Sequence, residues 1–314
     1  MYERFTQLVA QGIPVFFLTD FKGERLSCYP LDRLAEHDIE FSFSPSAAPA
    51  GNTPHKPIFY PVSKEEYKMR FERVLEQIRS GNTYLLNLTQ PTKIVTPHSL
   101  KSIYAMAHAP YKMRFGDSFV CFSPEPFVTI DETSRIHTFP MKGTIDAAAP
   151  NAVESILNDP KETAEHTMIV DLLRNDIGIV ARNVKVEKFR YITTINTGNK
   201  RLHQVSSHIS GQLDQNWKND AGKILRALLP AGSISGTPKK KTVEIIEETE
   251  GYERGYFTGV FGYFDGEKLY SAVTIRYIER DRHGELFYKS GGGITAESNW
   301  QSEYDEMIDK IYIP

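Results

Sequence analysis

Along this chain the hydrophobic positions switch repeatedly between the two-residue period of strands and the 3.6-residue period of helices. Residues 13–43 read as short strands and turns: an apolar run from Ile13 to Leu18, a turn-like stretch at Asp20–Gly23, then a second apolar stretch. Residues 44–61 place five prolines in eighteen positions, the composition of an irregular connection. Ser63 with Glu66 three residues on gives a capping-box signature. Tyr67, Phe71, Val74, Leu75 and Ile78 then share one helical stripe, which Gly81 ends. Segments 83–89, 117–123, 127–131 and 135–139 are β-like. Asp159-Pro160, with Glu162 at the third helical position, predicts a helix running to about Arg174. Residues 184–213 read as strands broken by Gly198 and Gly211. Helices are expected over roughly 219–229 and from Thr237-Pro238 to Gly251. The strands GVFGYF, YSAVTIRYI and FYKS follow, then the glycine run 291–293 and a final helix capped by Ser298. Helices and strands mix without a strict βαβ rhythm, which predicts an α+β fold with central sheets. The expected division is a short strand-rich segment with its connection over 1–60 and a main body over 61–314.

Composition narrows the classes without choosing one. With 314 residues, 40% hydrophobic and 25% charged, the chain can bury a substantial core. Its 37 basic and 40 acidic residues leave a net charge of −3, so there is no electrostatic footprint for nucleic acid or an anionic membrane. Two cysteines, Cys28 and Cys121, allow neither a disulfide framework nor a four-cysteine zinc site, and they suit a reducing cytosol. The run Ile13–Leu18 is too short to span a membrane and lacks the flanks of a signal peptide. A soluble cytoplasmic protein is expected.

Several residues could carry chemistry. Glu162 and Glu165 on one helix, and Glu303 and Glu306 on the last, are spaced three apart and so lie about 60° apart around each axis. Two such pairs could hold one hard cation, yet most pairs of this kind are solvated faces. The stripe Trp300, Tyr304, Met307, Ile308, Ile311 even turns Glu306 away from the core side. GSISGTPKKK (232–241) lacks phosphate-loop spacing, because three residues rather than four separate its glycines. Its three lysines sit at the end of a helix that disfavours cations, so they are solvated or an anion sits nearby. SGGGI (290–294) can bring backbone amides to a carboxylate or be a flexible turn. His203 and His208, five apart in a strand, face opposite sides, which weakens a shared metal site.

Eight strings, in order, resemble the chorismate-utilising enzymes over roughly residues 60–314. They are SPEPF (123–127), PMKGT (140–144), DPKETAEHTMIVDLLRNDIG (159–178), LHQVSSHISG (202–211), PAGSISGTPK (230–239), GYFTGVFGYF (255–264), AVTIR (272–276), and SGGGI with EYDEMIDK (303–310). The resemblance implies a chorismate-binding fold with β-sheets at its centre and helices outside. By position Glu165 and Glu306 look like magnesium ligands, supported by Glu162 and Glu303. Glu125 matches the general acid for the departing C4 hydroxyl, a role that needs a raised pKa. Arg276, Lys310 and the amides of Gly291, Gly292 and Gly293 look like carboxylate contacts. Ser233 preserves a hydroxyl, His203 matches a histidine lining the pocket, and these two with Thr144 of the PMKGT string are expected, by the resemblance, to contact the substrate.

Lys142 divides the branches of that family. Anthranilate synthases read PIAGT at this place, whereas aminodeoxychorismate synthases carry lysine. The resemblance therefore points to aminodeoxychorismate synthase component I, with Lys142 adding to C2 of chorismate. A neutral amine is required, and at an ordinary pKa only about one lysine in two thousand is neutral at pH 7. Leu85 stands where isochorismate and salicylate synthases place a water-activating lysine. The chain departs from many relatives in GTIDAAAP after PMK and in Phe257, beside Tyr256, where they have tyrosine. It also lacks the N-terminal tryptophan-binding motif of regulated anthranilate synthases. With no amidotransferase cysteine, ammonia is expected from a separate glutamine amidotransferase subunit. The rivals are anthranilate synthase component I and a non-catalytic chorismate-binding subunit.

Overall fold

The computed structural model describes residues 1–44, 56–196 and 201–313. Most of the proline-rich connection, and Gly198, lie outside them. Two sheets form the centre. The first runs in the order Met141–Asp146, Arg201–Gln212, Arg135–Thr138, Pro126–Ile130, Leu269–Val273, Val260–Phe264, Val15–Thr19, Leu26–Pro30, and Arg182–Asn196 also pairs with Arg201–Gln212. The second runs Gly236–Thr237, Leu85–Val95, Leu286–Ile294, Tyr277–Arg280, Phe119–Ser123, Tyr111–Phe115, Ile39–Phe43, with Ile58–Tyr60 on Leu85–Val95. The ladders are antiparallel, for example Val15–Thr19 on Val260–Phe264 and Leu286–Ile294 on Leu85–Val95. The α+β expectation holds.

The sheets meet face to face. Phe16, Leu18 and Phe261 of the first pack with Met113, Phe119, Cys121 and Tyr277 of the second in one buried cluster. Helices cover the outer sides. Phe5 and Val9 of Tyr2–Ala10, with Leu225 and Leu228 of Ala221–Leu228, join the core of the first sheet. Tyr67 and Phe71 of Lys64–Arg79, Ile245 of Lys239–Glu250 and Met307 of Trp300–Asp309 pack on Leu86, Leu88 and Ile294 of the second. A strand enclosed on both faces has no polar face to show, which is why Val15–Thr19 is buried at every position. No helix among the described residues is long and apolar enough to cross a membrane.

Local signals place the helix starts. The Ser63 hydroxyl accepts from the Glu66 N–H at 3.1 Å, and the Asp159 carboxylate accepts from the Glu162 N–H at 2.9 Å. Four expectations need correction. The N-terminal segment is not set apart: Val15–Thr19 lies between two strands of the first sheet, and Ile39–Phe43 pairs with Tyr111–Phe115 in the second. Such long-range pairing leaves no local mark. The helix from Pro160 continues to Val180, past Arg174. The stretch read as one strand over YSAVTIRYI breaks between Val273 and Tyr277, where Arg276 takes a left-handed φ of 52°. The last helix is capped by Asn299, whose side chain accepts from the Gln301 and Ser302 N–H groups, while Ser298 donates to Glu303 at 2.8 Å.

Candidate active site

Both sheets and two helices supply the walls of one cavity of about 440 Å³. A smaller chamber of about 150 Å³ adjoins it, with Asn87, Glu125, Ser233 and Lys310 lining both. The strand Met141–Asp146 brings Lys142 and Thr144. The helix Pro160–Val180 brings Glu162 and Glu165, and the last helix brings Glu306 with Lys310 just beyond its end. Glu125, from the turn between Phe119–Ser123 and Pro126–Ile130, faces both spaces, as does Ser233. Arg276 lines the inner chamber from the break in its strand.

The glycine run is strand rather than turn. Gly291, Gly292 and Gly293 pair with Thr89, Leu88 and Asn87, and the strand that covers the other edge of this ribbon stops at Lys289. A Cβ on Gly291 would sit 2.1 Å from the Leu88 carbonyl oxygen, so the close approach requires glycine. Gly292 passes directly under Glu303, Glu306 and Lys310.

Cations and carboxylates are interleaved. Lys142 Nζ lies 2.9 Å from Glu165, Lys310 Nζ lies 2.6 Å from Glu306 and 2.7 Å from the Gly291 carbonyl oxygen. Arg276 donates to the Lys310 carbonyl at 3.3 Å and covers the Tyr312 ring. Burial pushes the Glu125 carboxyl above the usual range, only partly opposed by Ser233 and Lys310. Burial likewise raises Glu162 and Glu303. For Glu306 burial acts upward but Lys310, Lys142 and Arg276 outweigh it, and the pKa falls. Lys310 is lowered by burial against the pull of Glu306.

Lys142 departs from expectation. Burial alone would lower its pKa, but Glu165, with Glu306 and Glu162 behind it, reverses the sign and raises it. In this arrangement the amine is held as an ammonium.

Glu306 is both solvent-facing on its helix and part of the cavity. Its side chain is 54% exposed, as the helix stripe requires, but that exposed side lines the cavity. His203 departs from expectation in the opposite sense. It does not line the cavity, its Nδ1 lies 3.0 Å from the Thr194 hydroxyl, and its neighbour Gln204 faces the space, opposite Thr144 across the ladder. Alternation along a strand makes such a one-residue exchange a complete change of side.

Sequence reasoning missed Asn87, Thr295, Met168 and Ile169 as lining residues. Ile169 lies one turn beyond Glu165, which the helical period signals; Asn87 and Thr295 carry no comparable mark. Phe257 lines the inner chamber, while Tyr256 packs on Phe119 at 5.4 Å, so its hydroxyl does not replace the missing one. Two of the three lysines of GSISGTPKKK have partners within the chain, Lys239 pairing with Asp176 at 2.9 Å and donating to the Leu228 carbonyl and Lys241 pairing with Glu244 at 3.0 Å, while Lys240 is exposed. His208 stacks on Phe139 at 4.8 Å and lies 3.1 Å from His137, away from His203.

Comparison with known proteins agrees with this geometry. Residues 20–314 match the chorismate binding enzyme family. An uncharacterised PabA-like protein of Haemophilus influenzae is 46% identical over 312 residues, 97% of this chain and 93% of that protein. Aminodeoxychorismate synthase component 1 of Escherichia coli is 33% identical over 266 residues, 80% of this chain but only 57% of the relative. The crystal structure of anthranilate synthase component I from Streptococcus pneumoniae superposes with a TM-score of 0.68 at 26% identity, covering 85% of this chain and 62% of that one. A cavity walled by the residues of eight ordered strings, on a fold shared with such enzymes, leads to one conclusion: this chain belongs to the chorismate-binding enzyme family.

Proposed function

We propose that the chain is an aminodeoxychorismate synthase component I, converting chorismate and ammonia to 4-amino-4-deoxychorismate. The observation that carries this reading is Lys142 in the same cavity as Glu125, with Leu85 also among the lining residues. Once Lys142 loses the proton that its carboxylate neighbours favour, an amine nucleophile and a protonated acid stand in one cavity, and leucine offers no group to activate water at C2.

The residue roles follow. Lys142 first gives its ammonium proton to solvent, which returns it after turnover, and as the free amine adds to C2 of the ring while the allylic electrons move and the C4–O bond breaks. Glu125 donates its proton so that the hydroxyl leaves as water. Ammonia then adds at C4, the electrons return, and the C2–N bond to Lys142 breaks. The proton lost by the incoming nitrogen restores Glu125. Arg276 and Lys310 are suited to hold a substrate carboxylate in the inner chamber. Ammonia from a glutamine amidotransferase subunit fits a chain of this family whose two cysteines are both buried, and component naming among relatives supports such a partner.

The carboxylates suit magnesium. Glu162 Oε2 is buried without a hydrogen-bond partner, the kind of oxygen a cation satisfies. Among the described residues no three carboxylate, histidine or cysteine side chains come together as a ready metal cage. Magnesium does not need one, since it takes one or two protein carboxylates with waters and substrate oxygens. Glu165 and Glu306 would hold it, with Glu162 and Glu303 beside them. When bound, the ion would fix the ring carboxylate and offset charge there. Glu306→Gln should abolish the rise in melting temperature that magnesium gives in the presence of chorismate. The metal-free melting temperature should move by no more than a few degrees, because an ion pair this exposed contributes about 1 kcal/mol or less.

The reaction itself is tested by incubating purified protein with chorismate, magnesium and excess ammonium, and resolving products with mass detection. Aminodeoxychorismate, retaining its pyruvyl group, is the expected product. Anthranilate would replace the assignment by anthranilate synthase component I. Isochorismate would mean that water reaches C2 despite Leu85, and unchanged chorismate that still stabilises the protein would mark a binding subunit.

A further inference from the structure

His166 is fully buried beside Glu165, yet no step above uses it. Its Nδ1 lies 3.1 Å from the carbonyl oxygen of Lys142, and its Nε2 lies 2.7 Å from the hydroxyl of Ser207, also fully buried. The hydroxyl of Ser207 in turn accepts from the Arg190 N–H at 2.9 Å. Burial favours the neutral ring, and for a neutral ring these contacts fix every hydrogen. A carbonyl only accepts, so Nδ1 carries the proton. Nε2 is therefore an acceptor and takes the single hydrogen of Ser207, whose oxygen is left to accept from Arg190.

The chain joins two irregular strands. Along Met141–Asp146 the register steps from Met141 opposite Ser206 to Thr144 opposite Gln204, so Lys142 and Gly143 together face the one residue between. Gly143 takes a left-handed φ of 95°, and a Cβ there would meet Glu162 at 2.7 Å. This bulge lets Met141, Lys142, Gly143 and Thr144 all line the cavity, which flat alternation forbids. It also leaves the Lys142 carbonyl to be satisfied by a side chain. The second irregular strand, Arg182–Asn196, shifts register on Arg201–Gln212 between Lys188 and Tyr191, where Arg190 has φ 49° and its guanidinium holds the carbonyls of Leu157 and Ile156 at 2.8 and 3.0 Å. Ser207 also binds the first strand directly, its N–H donating to the Pro140 carbonyl at 2.9 Å.

We propose that His166, held in its Nδ1–H form by Ser207, is the positioning residue for Lys142: it locks the bulge that aims the lysine at the substrate. This rests on the reading that Lys142 acts as the nucleophile.

Two substitutions separate positioning from packing. Asparagine places an amide N–H where Nδ1 stands and can still reach the Lys142 carbonyl. Glutamine is nearer to histidine in size but places its amide where Nε2 stands. His166→Gln should lower kcat about 30-fold or more with KM little changed, the cost of a misplaced reacting group, while His166→Asn keeps most of the rate. Acylation of Lys142 by acetic anhydride, followed by peptide mass spectrometry against exposed Lys185 as internal standard, reads the side chain without any turnover. It should quicken in His166→Gln and not in His166→Asn. Equal losses in both variants, in step with their melting temperatures, or unaltered Lys142 labelling in His166→Gln would overturn the proposal. If the wild-type protein does not aminate chorismate, the functional reading fails and the labelling order alone still decides the positioning role.

Discussion

Lys142→Ala should reduce amination of chorismate by about a thousandfold or more, the scale seen when a covalent nucleophile is removed. Chorismate binding should survive, because Arg276, Lys310 and the glycine strand do not depend on Lys142 for their places: Lys310 is held by Glu306 and the Gly291 carbonyl. The fold should survive as well. Lys142 is partly exposed, its side chain retaining 34% of its surface, and the His166 contact goes to its backbone carbonyl, which alanine keeps. The measurement is steady-state production of aminodeoxychorismate with saturating ammonium, paired with chorismate binding by calorimetry. A variant that binds chorismate and aminates it at the wild-type rate would remove the covalent route and leave direct attack of ammonia at C4.

Glu125→Gln should lower kcat about 10²- to 10⁴-fold, the usual worth of a positioned proton donor. Its pKa is raised by burial, and under the proposed mechanism the working form is the protonated one. The wild-type rate should therefore fall as pH rises through that raised pKa, and the variant should lose this limb. Stability gives a second reading with a fixed sign. Between the ordinary glutamate value and the raised one, the folded state binds more protons than the unfolded state, so wild-type stability declines as pH climbs through that window. Glutamine has no proton to lose. Denaturant unfolding should show the two proteins alike below the ordinary carboxylate range and the variant more stable above the window. A stability difference that does not change with pH would mean that Glu125 ionises freely.

Lys142 connects fold and chemistry most closely. Three carboxylates around it favour the ammonium form, whereas addition to C2 needs the free amine. Lysine at this position divides aminodeoxychorismate from anthranilate synthases by resemblance. Its protonation depends on carboxylates brought by two helices far apart in sequence.

Local features were legible in the chain. The caps at Ser63 and Asp159 and the apolar stripes of the helices act over three or four residues, so their spacing alone specifies them. The ordered strings that single out Glu125, Lys142, Glu165 and Glu306 could likewise be read from sequence, and these four side chains share one cavity. Contacts that cross the fold were not legible. Nothing near Val15 marks it as an inner strand of a sheet whose neighbour is Val260–Phe264, because antiparallel pairing depends on residues more than two hundred positions away. Strand alternation could not say which of His203 and Gln204 faces the cavity, since a single bulge or register step reverses every side chain beyond it. Helix periodicity put Glu306 in solvent, and only the packing of two sheets against two helices made that solvent the inside of a site. Sequence thus determined the elements and the chemical groups, whose causes are local; the tertiary structure decided which faces meet, because burial and charge at Lys142, Glu125 and His166 come from residues the chain brings together only when folded.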